Sequence, residues 1–122
     1  MSCPCGSGKE YSHCCGQYLE GKDCAPTPEA LMRSRYTAFS KNRLDYIEKT
    51  MRKEALEKFD GKIDSRIEWL KLDVLYSEES GNTGTVMFVA KFKCNGQEHF
   101  MHETSTFEKI EGKWYYTKGT LS

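Results

Sequence analysis

Residues 85–96 read TVMFVAKFKCNG, and this stretch decides how the second half of the chain folds. Its apolar residues recur at every second position, which predicts a strand over Thr85–Lys93 with one buried face. Asn95-Gly96 follows directly, and this dipeptide is the strongest short-range signal for a tight β-hairpin. The hairpin leads into a long strand over Gln97–Ile110, and a further turn leads into a last strand over Lys113–Lys118.

Upstream of the hairpin, helical periodicity gives way to one more strand. Thr27-Pro28 has the residues of a helix start, an N-cap followed by proline at the first helical position, and predicts a helix from Pro28 to about Lys41. Shorter helices are predicted over Leu44–Met51 and Glu54–Phe59. Trp69–Tyr76 alternates like a strand, and the residues expected on its inner side are Leu70, Leu72, Val74 and Tyr76.

Helices that precede an antiparallel meander predict an α+β fold, with the helices packed on one face of a curved sheet. The chain has 122 residues, which suits one domain with a small appendage. Hydrophobic residues make up 38% and charged residues 30%, and no apolar run approaches the roughly 20 residues of a membrane span. Residues 1–5 lack the basic and apolar regions of a signal peptide, so we expect a cytoplasmic protein with reduced thiols.

The charges balance overall but are unevenly distributed. The net charge is zero, which argues against a simple binder of polyanions. Residues 33–53 nevertheless hold seven basic side chains and two acidic ones. This stretch either contacts nucleic acid or an acidic partner, or it forms a solvated helix face, and the overall balance of charge favours the solvated face.

Cysteines are concentrated at the start of the chain. Five of the six lie in the first 24 residues, and Cys94 stands apart. Four of them have the spacing C-x-C-x8-C-C, in a segment too short to bury a core of its own. Where thiols are reduced, this density favours a metal site over disulfides, and a structural zinc ion can contribute about 10 kcal/mol or more to folding. The glycines of Gly6-Ser7-Gly8 allow backbone amides to turn toward thiolate sulfurs.

The cysteine segment resembles a known motif. Residues 3–16, CPCGSGKEYSHCCG, match the SEC-C motif, the zinc knuckle at the C-terminus of the SecA preprotein translocase. The resemblance implies one structural zinc ion (Zn2+) with the ligands Cys3, Cys5, Cys14 and Cys15. His13 is a rival ligand outside the ligand register of the motif. Cys24 lies beyond the motif, where we expect a small buried apolar side chain.

The rest of the chain is similar to the YchJ family of small bacterial proteins. The similar segments are LMRSRYTAF (31–39), EWLKL (68–72), HETSTF (102–107) and GKWYYTKGT (112–120). The resemblance implies a nuclear transport factor 2-like (NTF2-like) fold, a cone of helices on a strongly bent sheet. It also implies a division into a SEC-C segment, residues 1–22, and a cone-shaped body, residues 23–122.

Arg35 is the charged residue that fits its surroundings least. On a helical wheel it lies within the apolar stripe of the first long helix, whereas Arg33 and Thr37 point away from that stripe. Glu103 shares strand parity with Phe107 and is expected to face inward. A buried arginine needs an acceptor, so Arg35 and Glu103 are predicted to form a salt bridge inside the cone.

A pocket inside the cone would be lined by this pair and by nearby aromatic residues. The side chains expected there are Arg35, Tyr36, Trp69, Glu103 and Trp114, with Tyr116 as a further candidate. Three alternatives stay open. The pair can serve only to fix the helix against the sheet, the arginine can extend to solvent, and the aromatic residues can simply form the core.

Two functions of different classes follow from these sites. The first is an interaction module. The similar knuckle of SecA contacts a chaperone and acidic lipid, so the resemblance implies a protein partner. The side chains able to face that partner are Lys9, Tyr11, His13 and Tyr18. Four thiolates saturate a zinc ion and leave no position for water, which excludes hydrolysis catalysed by zinc at this site.

The second function is an enzyme or small-ligand binder that uses the pocket, with Glu103 as acid or base and Arg35 as a clamp for an anion. The first is favoured, since a fold alone does not establish an activity.

Overall fold

A computed structural model of the chain describes residues 2–64 and 66–121. After a 3₁₀ turn at Tyr11–His13, the helices are α1 (Gly16–Leu19), α2 (Pro28–Ser40), α3 (Leu44–Lys49) and α4 (Lys53–Lys58). The strands are β1 (Ile67–Ser80), β2 (Thr83–Cys94), β3 (Gln97–Ile110) and β4 (Lys113–Leu121). The predicted α+β order is confirmed. Residues 17–28 have the glycine and proline residues of a connector in the sequence, but α1 includes the first three of them. None of the helices in the described ranges is long and apolar enough to cross a bilayer.

The strands form one antiparallel sheet in the order β1-β2-β3-β4, so each strand pairs with its neighbour in the chain. The hairpin between β2 and β3 turns at Asn95 and Gly96, which have positive φ values of 52° and 81°. Such angles suit the type I′ turn, whose twist matches that of the strands, and they confirm the predicted hairpin. The apolar face predicted for β2 consists of Val86, Phe88, Ala90 and Phe92, of which the first three are buried and Phe92 is half-buried.

Strand β1 departs from the predicted alternation. Its register against β2 shifts at Leu70 and again at Leu75, which are left out of the pairing. Each unpaired residue reverses the side to which the following side chains point. Leu72 is therefore buried as expected, whereas Leu70 and Tyr76 are 39% and 48% exposed, and their predicted inward placement is wrong.

Helix α2 forms the centre of the molecule. Thr27 caps it as predicted, because its hydroxyl accepts a hydrogen bond from the Ala30 amide at 3.1 Å. The predicted apolar stripe is buried, with Leu31, Met32, Tyr36 and Ala38 in the core. Thr37 points away from that stripe, as predicted, but it is fully buried, and its hydroxyl lies 3.7 Å from Cys3 Sγ. The N-terminal cysteine segment covers this second side of the helix.

The cysteine segment shares one apolar core with the body. Its buried members are Cys3, Cys5, Cys15 and Leu19. Arg33 Nη1 of α2 donates to the carbonyl oxygen of Cys5 at 2.9 Å, and Arg43 Nη2 donates to that of Leu19 at 3.0 Å. Both hydrogen bonds connect the cysteine segment to the body of the protein. The division of the chain between residues 22 and 23 stays a prediction.

Gly84 marks a close approach between α2 and the sheet. A Cβ atom at this position would lie 2.9 Å from Pro28 Cβ and nearer still to Pro28 Cγ. Gly84→Ala is therefore expected to lower the free energy of unfolding by about 1–3 kcal/mol, the usual cost of overpacking, as measured by chemical denaturation. In a double-mutant cycle, Pro28→Gly should reduce the effect of Gly84→Ala, and strictly additive losses would contradict the steric cause.

Candidate metal centre and cone cavity

The cysteines of the N-terminal segment converge on one point. The Sγ atoms of Cys3, Cys5, Cys14 and Cys15 all lie within 4.8 Å of one another. Cys14 Sγ is 3.6 Å from Cys5 Sγ and 4.0 Å from Cys15 Sγ. A tetrahedral ion with metal–sulfur bonds of about 2.3 Å separates its sulfur ligands by about 3.8 Å. The donor set therefore fits one metal ion, as the spacing predicts.

Glycines shape the loop that carries the first two cysteines. Gly6 and Gly8 have φ values of 81° and 84°, which glycine adopts at little steric cost. Between them, Ser7 Oγ lies 3.2 Å from Cys14 Sγ and accepts a hydrogen bond from the Lys9 amide at 3.2 Å. Ser7 thus ties the loop to the second pair of cysteines, which lies just before α1.

The thiols differ in acidity because they form hydrogen bonds with one another. A hydrogen bond with Cys15 lowers the pKa of the Cys5 thiol to about 4. The same hydrogen bond raises the pKa of Cys15, with burial adding to the shift, and burial raises the pKa of Cys14. A divalent cation bound by the four sulfur atoms would favour the thiolate form of each, because metal ligands of this type must be deprotonated.

Two other candidates of the cysteine segment lie outside the cluster. His13 is exposed, and the metal-binding group found within residues 2–64 and 66–121 consists of four cysteines without it. Cys24 is also exposed, so its predicted role as a small core residue is wrong. The connector before α2 turns there at the surface, with the Cys24 amide donating to Asp23 Oδ1 at 2.9 Å.

A cavity of about 340 Å³ lies between α2 and the sheet. Its walls are mainly apolar and aromatic, and include Met32, Tyr36, Phe39, Trp69, Phe88 and Phe107. The polar groups at its surface belong to Arg35, Glu103, Ser105 and Tyr116. Arg35, Tyr36, Trp69 and Glu103 therefore line one cavity, as expected from the sequence, and its use as a ligand site stays a prediction.

The predicted salt bridge between Arg35 and Glu103 is not formed, and among the described residues neither side chain has an ion-pair partner. Arg35 Nη1 instead donates to the Ile47 carbonyl oxygen at 2.8 Å and to Thr50 Oγ1 at 2.6 Å. Arg35 is only 6% exposed, so it does not extend to solvent either. Burial lowers the pKa of its guanidinium to about 10, which leaves the group protonated at neutral pH.

Tyr116 lies between the two charged groups. Its ring centroid is 4.6 Å from Arg35 Cζ, and its hydroxyl donates to Glu103 Oε2 at 3.2 Å. Ser105 Oγ donates to the same carboxylate oxygen at 2.5 Å. A side chain at Gly119 would collide with the Tyr116 hydroxyl and approach Glu103 Oε2 to 2.8 Å. The sequence names Tyr116 only as a possible lining residue, and the nearby glycine within a strand is the signal that could have revealed this close approach.

Trp114 lies outside the cavity, contrary to the prediction. It is 4% exposed and borders a second cleft of about 270 Å³, together with Tyr46 and Thr50. Strand parity places Trp114 on the same face of β4 as Tyr116, which lines the cavity. Trp114 is two residues nearer the start of the strand and does not reach that cavity. Thr50, which contacts Arg35, stands between the cavity and this cleft.

Known proteins share both parts of this arrangement. A family model described as the YchJ middle NTF2-like domain matches residues 27–119, and a model of the SEC-C motif matches residues 2–17. A SEC-C motif-containing protein from Rhodopseudomonas palustris is 42% identical, and its solution structure has a TM-score of 0.92, covering 100% of this chain and 99% of that one. One from Psychrobacter arcticus is 31% identical, with a TM-score of 0.85 over 100% of this chain and 83% of that chain.

A more distant structure supports the fold alone. A protein from Exiguobacterium sibiricum, described as a candidate Ca/calmodulin-dependent kinase II association domain, is 11% identical. Its structure has a TM-score of 0.61 and covers 79% of this chain and 89% of that one. The likeness agrees with the NTF2-like match and with the predicted α+β fold.

We predict one tetrahedrally coordinated metal ion per chain, because four sulfur atoms stand at suitable separations. Elemental analysis of untagged protein should give a metal-to-protein ratio near one, and Cys14→Ser should lower it. Cys24→Ser is the matched control, since Cys24 is exposed and outside the cluster, and it should leave the ratio unchanged. A ratio well below one in the unmodified protein, with four free thiols, would contradict the assignment.

Removal of the metal by a chelator should lower the Tm but leave the sheet folded. The ladder of β2 and β3 contains none of the clustered cysteines, whereas Cys3, Cys5 and Cys15 are buried in the shared core. Hydrogen exchange should accelerate in residues 2–20 and stay slow in β2 and β3. Loss of protection throughout β2 and β3 would show that the body has no stability of its own.

Proposed function

Because the chain belongs to the YchJ family, with the middle NTF2-like domain over residues 27–119 and a SEC-C motif over residues 2–17, we propose that it is a zinc-binding protein whose SEC-C segment docks a protein partner. The observation that carries the proposal is the cluster of four cysteines, which can fill all four positions of a tetrahedral metal ion. The cluster lies beside a surface cleft.

The donor set favours zinc as the metal. Four thiolates in a tetrahedral arrangement are typical of structural zinc sites and of iron–sulfur centres. The spacing of the cysteines and the match to the SEC-C motif favour a single zinc ion. With all four positions occupied by sulfur, the ion has no open position for water or substrate, so its role would be to hold the segment in shape.

The docking surface that we propose is the knuckle cleft, a cleft of about 440 Å³ whose lining includes Ser7, Lys9, His13, Gln17, Tyr18 and Arg33. Cys14 lies at this cleft, so the shape of the surface depends on the metal site. Lys9 and His13 are exposed, and they are the side chains most available to a partner. Tyr11 is less available than expected from the sequence, because its hydroxyl donates to Glu20 and Lys41 Nζ lies 4.4 Å from its ring centroid.

The basic residues of the 33–53 stretch favour a protein partner over nucleic acid. Arg33, Arg43 and Lys53 are in ion pairs, and Arg35 is buried. The remaining three basic groups lie over tyrosine rings: Lys41 over Tyr11, Lys49 over Tyr46, and Arg52 over Tyr115. Phosphate binding by these groups would have to compete with internal contacts, which weakens the electrostatic attraction on which nucleic-acid binding depends.

We expect a partner to be captured from cell extract by the immobilised, zinc-loaded chain and lost with the double variant Lys9→Ala/His13→Ala. That variant keeps the four cysteines, so elemental analysis should confirm that it still holds the metal. The matched control is Lys93→Ala/His99→Ala, which removes the same two exposed side-chain types from β2 and β3 and should retain the partner. Cys14→Ser should lose both metal and partner.

Two results would refute docking through the knuckle cleft. One is that the unmodified chain captures no protein. The other is that Lys9→Ala/His13→Ala captures the same protein in the same amount as the control variant. Nuclease treatment of the extract separates a protein partner from binding that is bridged by nucleic acid.

A further inference from the structure

The cone cavity contains a buried cation with unused hydrogen-bonding capacity. Within residues 2–64 and 66–121, Arg35 donates two hydrogen bonds, both from Nη1. Its Nε and Nη2 atoms have no acceptor there. The side chain is 6% exposed and lines the cavity. These two nitrogen atoms are not among the fully buried side-chain atoms that lack a partner, so they face space that a ligand can enter. Side by side, they have the geometry that matches a carboxylate.

Glu103 does not form a direct ion pair with Arg35. Its described hydrogen bonds come from Ser105 and Tyr116 and both end on Oε2, so its charge is partly compensated by hydroxyl donors. The Tyr116 ring occupies the space between Glu103 and Arg35. Burial and the nearby carboxylate raise the pKa of Tyr116 well above its usual value, so its hydroxyl stays protonated and continues to donate. The cavity thus has one anion that accepts two hydroxyl hydrogen bonds and one cation that feels this anion only at a distance, without a direct ion pair.

The remaining wall of the cavity suits an apolar group. Trp69, Tyr36 and Phe39 form a contiguous aromatic surface, with Trp69 at centroid distances of 5.8 Å from Tyr36 and 6.2 Å from Phe39. A volume of about 340 Å³ falls within the range of small-molecule sites, and a mainly apolar lining with a few convergent polar groups is typical of such sites.

We propose that the cone cavity binds a small organic monocarboxylate with an aromatic or branched apolar body. The carboxylate would accept hydrogen bonds from Nε and Nη2 of Arg35 and form a direct ion pair with it. The apolar body would pack against Trp69 and Phe39. Glu103 would disfavour ligands with a second acid group, because a further negative charge would approach its carboxylate. This site is separate from the knuckle cleft, so the inference does not depend on docking of a partner.

The test compares three probes of similar size and different charge on the zinc-loaded full chain: phenylacetate, phenylacetamide and phenethylamine. Binding is followed by tryptophan fluorescence and by amide chemical shifts of α2 and β3. Phenylacetate should bind at least ten-fold more tightly than the neutral amide, and phenethylamine should bind more weakly still. Trp69→Phe should remove the fluorescence response, because Trp114 lies outside the cavity.

Variants at the polar end of the cavity assign the selectivity to named groups. Arg35→Gln should abolish the preference for phenylacetate over phenylacetamide, whereas Lys118→Gln, the same change of charge at an exposed position, should preserve it. Glu103→Gln keeps a hydrogen-bond acceptor but removes a negative charge, so it should strengthen phenylacetate binding several-fold. This second variant and the probe comparison on the unmodified chain decide the question even if Arg35→Gln fails to fold.

The proposal is overturned by any of three results. Equal affinity for phenylacetate and phenylacetamide would show that the cavity selects only apolar shape. Tighter binding of phenethylamine would show that Glu103 sets the charge preference. Absence of chemical-shift changes in α2 and β3 with all three probes would show that the cavity is part of the core.

Discussion

Helix α2 is buried from two sides, and the rest of the molecule is arranged around this constraint. On one side, Thr37 contacts Cys3 and Arg33 binds the carbonyl oxygen of Cys5. On the other side, the helix forms a wall of the cone cavity with Met32, Arg35 and Tyr36 among its lining residues. A helix covered in this way cannot have a single apolar stripe and a solvated opposite face. It must bury polar side chains, and each of them needs a partner.

The partners come mainly from α3 and the residues that follow it. Ser34 Oγ lies 2.7 Å from Tyr46 Oη, and Arg35 donates to the carbonyl oxygen of Ile47. The same segment then pairs with β4, because the Tyr116 amide donates to the Thr50 carbonyl oxygen at 2.8 Å. One short segment therefore satisfies the polar groups of α2 and fixes the backbone of the tyrosine that lies between Arg35 and Glu103. This arrangement places a charged end on an otherwise apolar cavity.

Local sequence patterns predicted most helices, strands and turns. They could not predict features that depend on long-range packing. The Thr27 cap, the turn at Asn95-Gly96 and the cysteine spacing depend on neighbours in the chain, so the sequence reveals them directly. The unpaired Leu70 and Leu75 of β1 could not be predicted, because a bulge depends on the partner strand. A helical wheel likewise places Thr37 away from the apolar stripe, but it carries no information about the segment that buries this residue on the far side. The position of the Tyr116 ring between Arg35 and Glu103 was not predicted, because parity places both charges on facing surfaces but gives no distance between them.

The two-sided burial of α2 also has a thermodynamic consequence. Arg33 and Arg35 are two positions apart on one helix, and the first contacts the cysteine segment while the second lines the cavity. If a ligand in the cavity restricts the positions of α2, it changes the free energy with which the cysteine cluster holds its metal. Linkage then requires the metal to change the affinity for that ligand by the same factor. Binding at the cysteine cluster and binding in the cone cavity would thus influence each other through the helix. The coupling free energy would depend on how rigidly α2 transmits a displacement of Arg33 or Arg35.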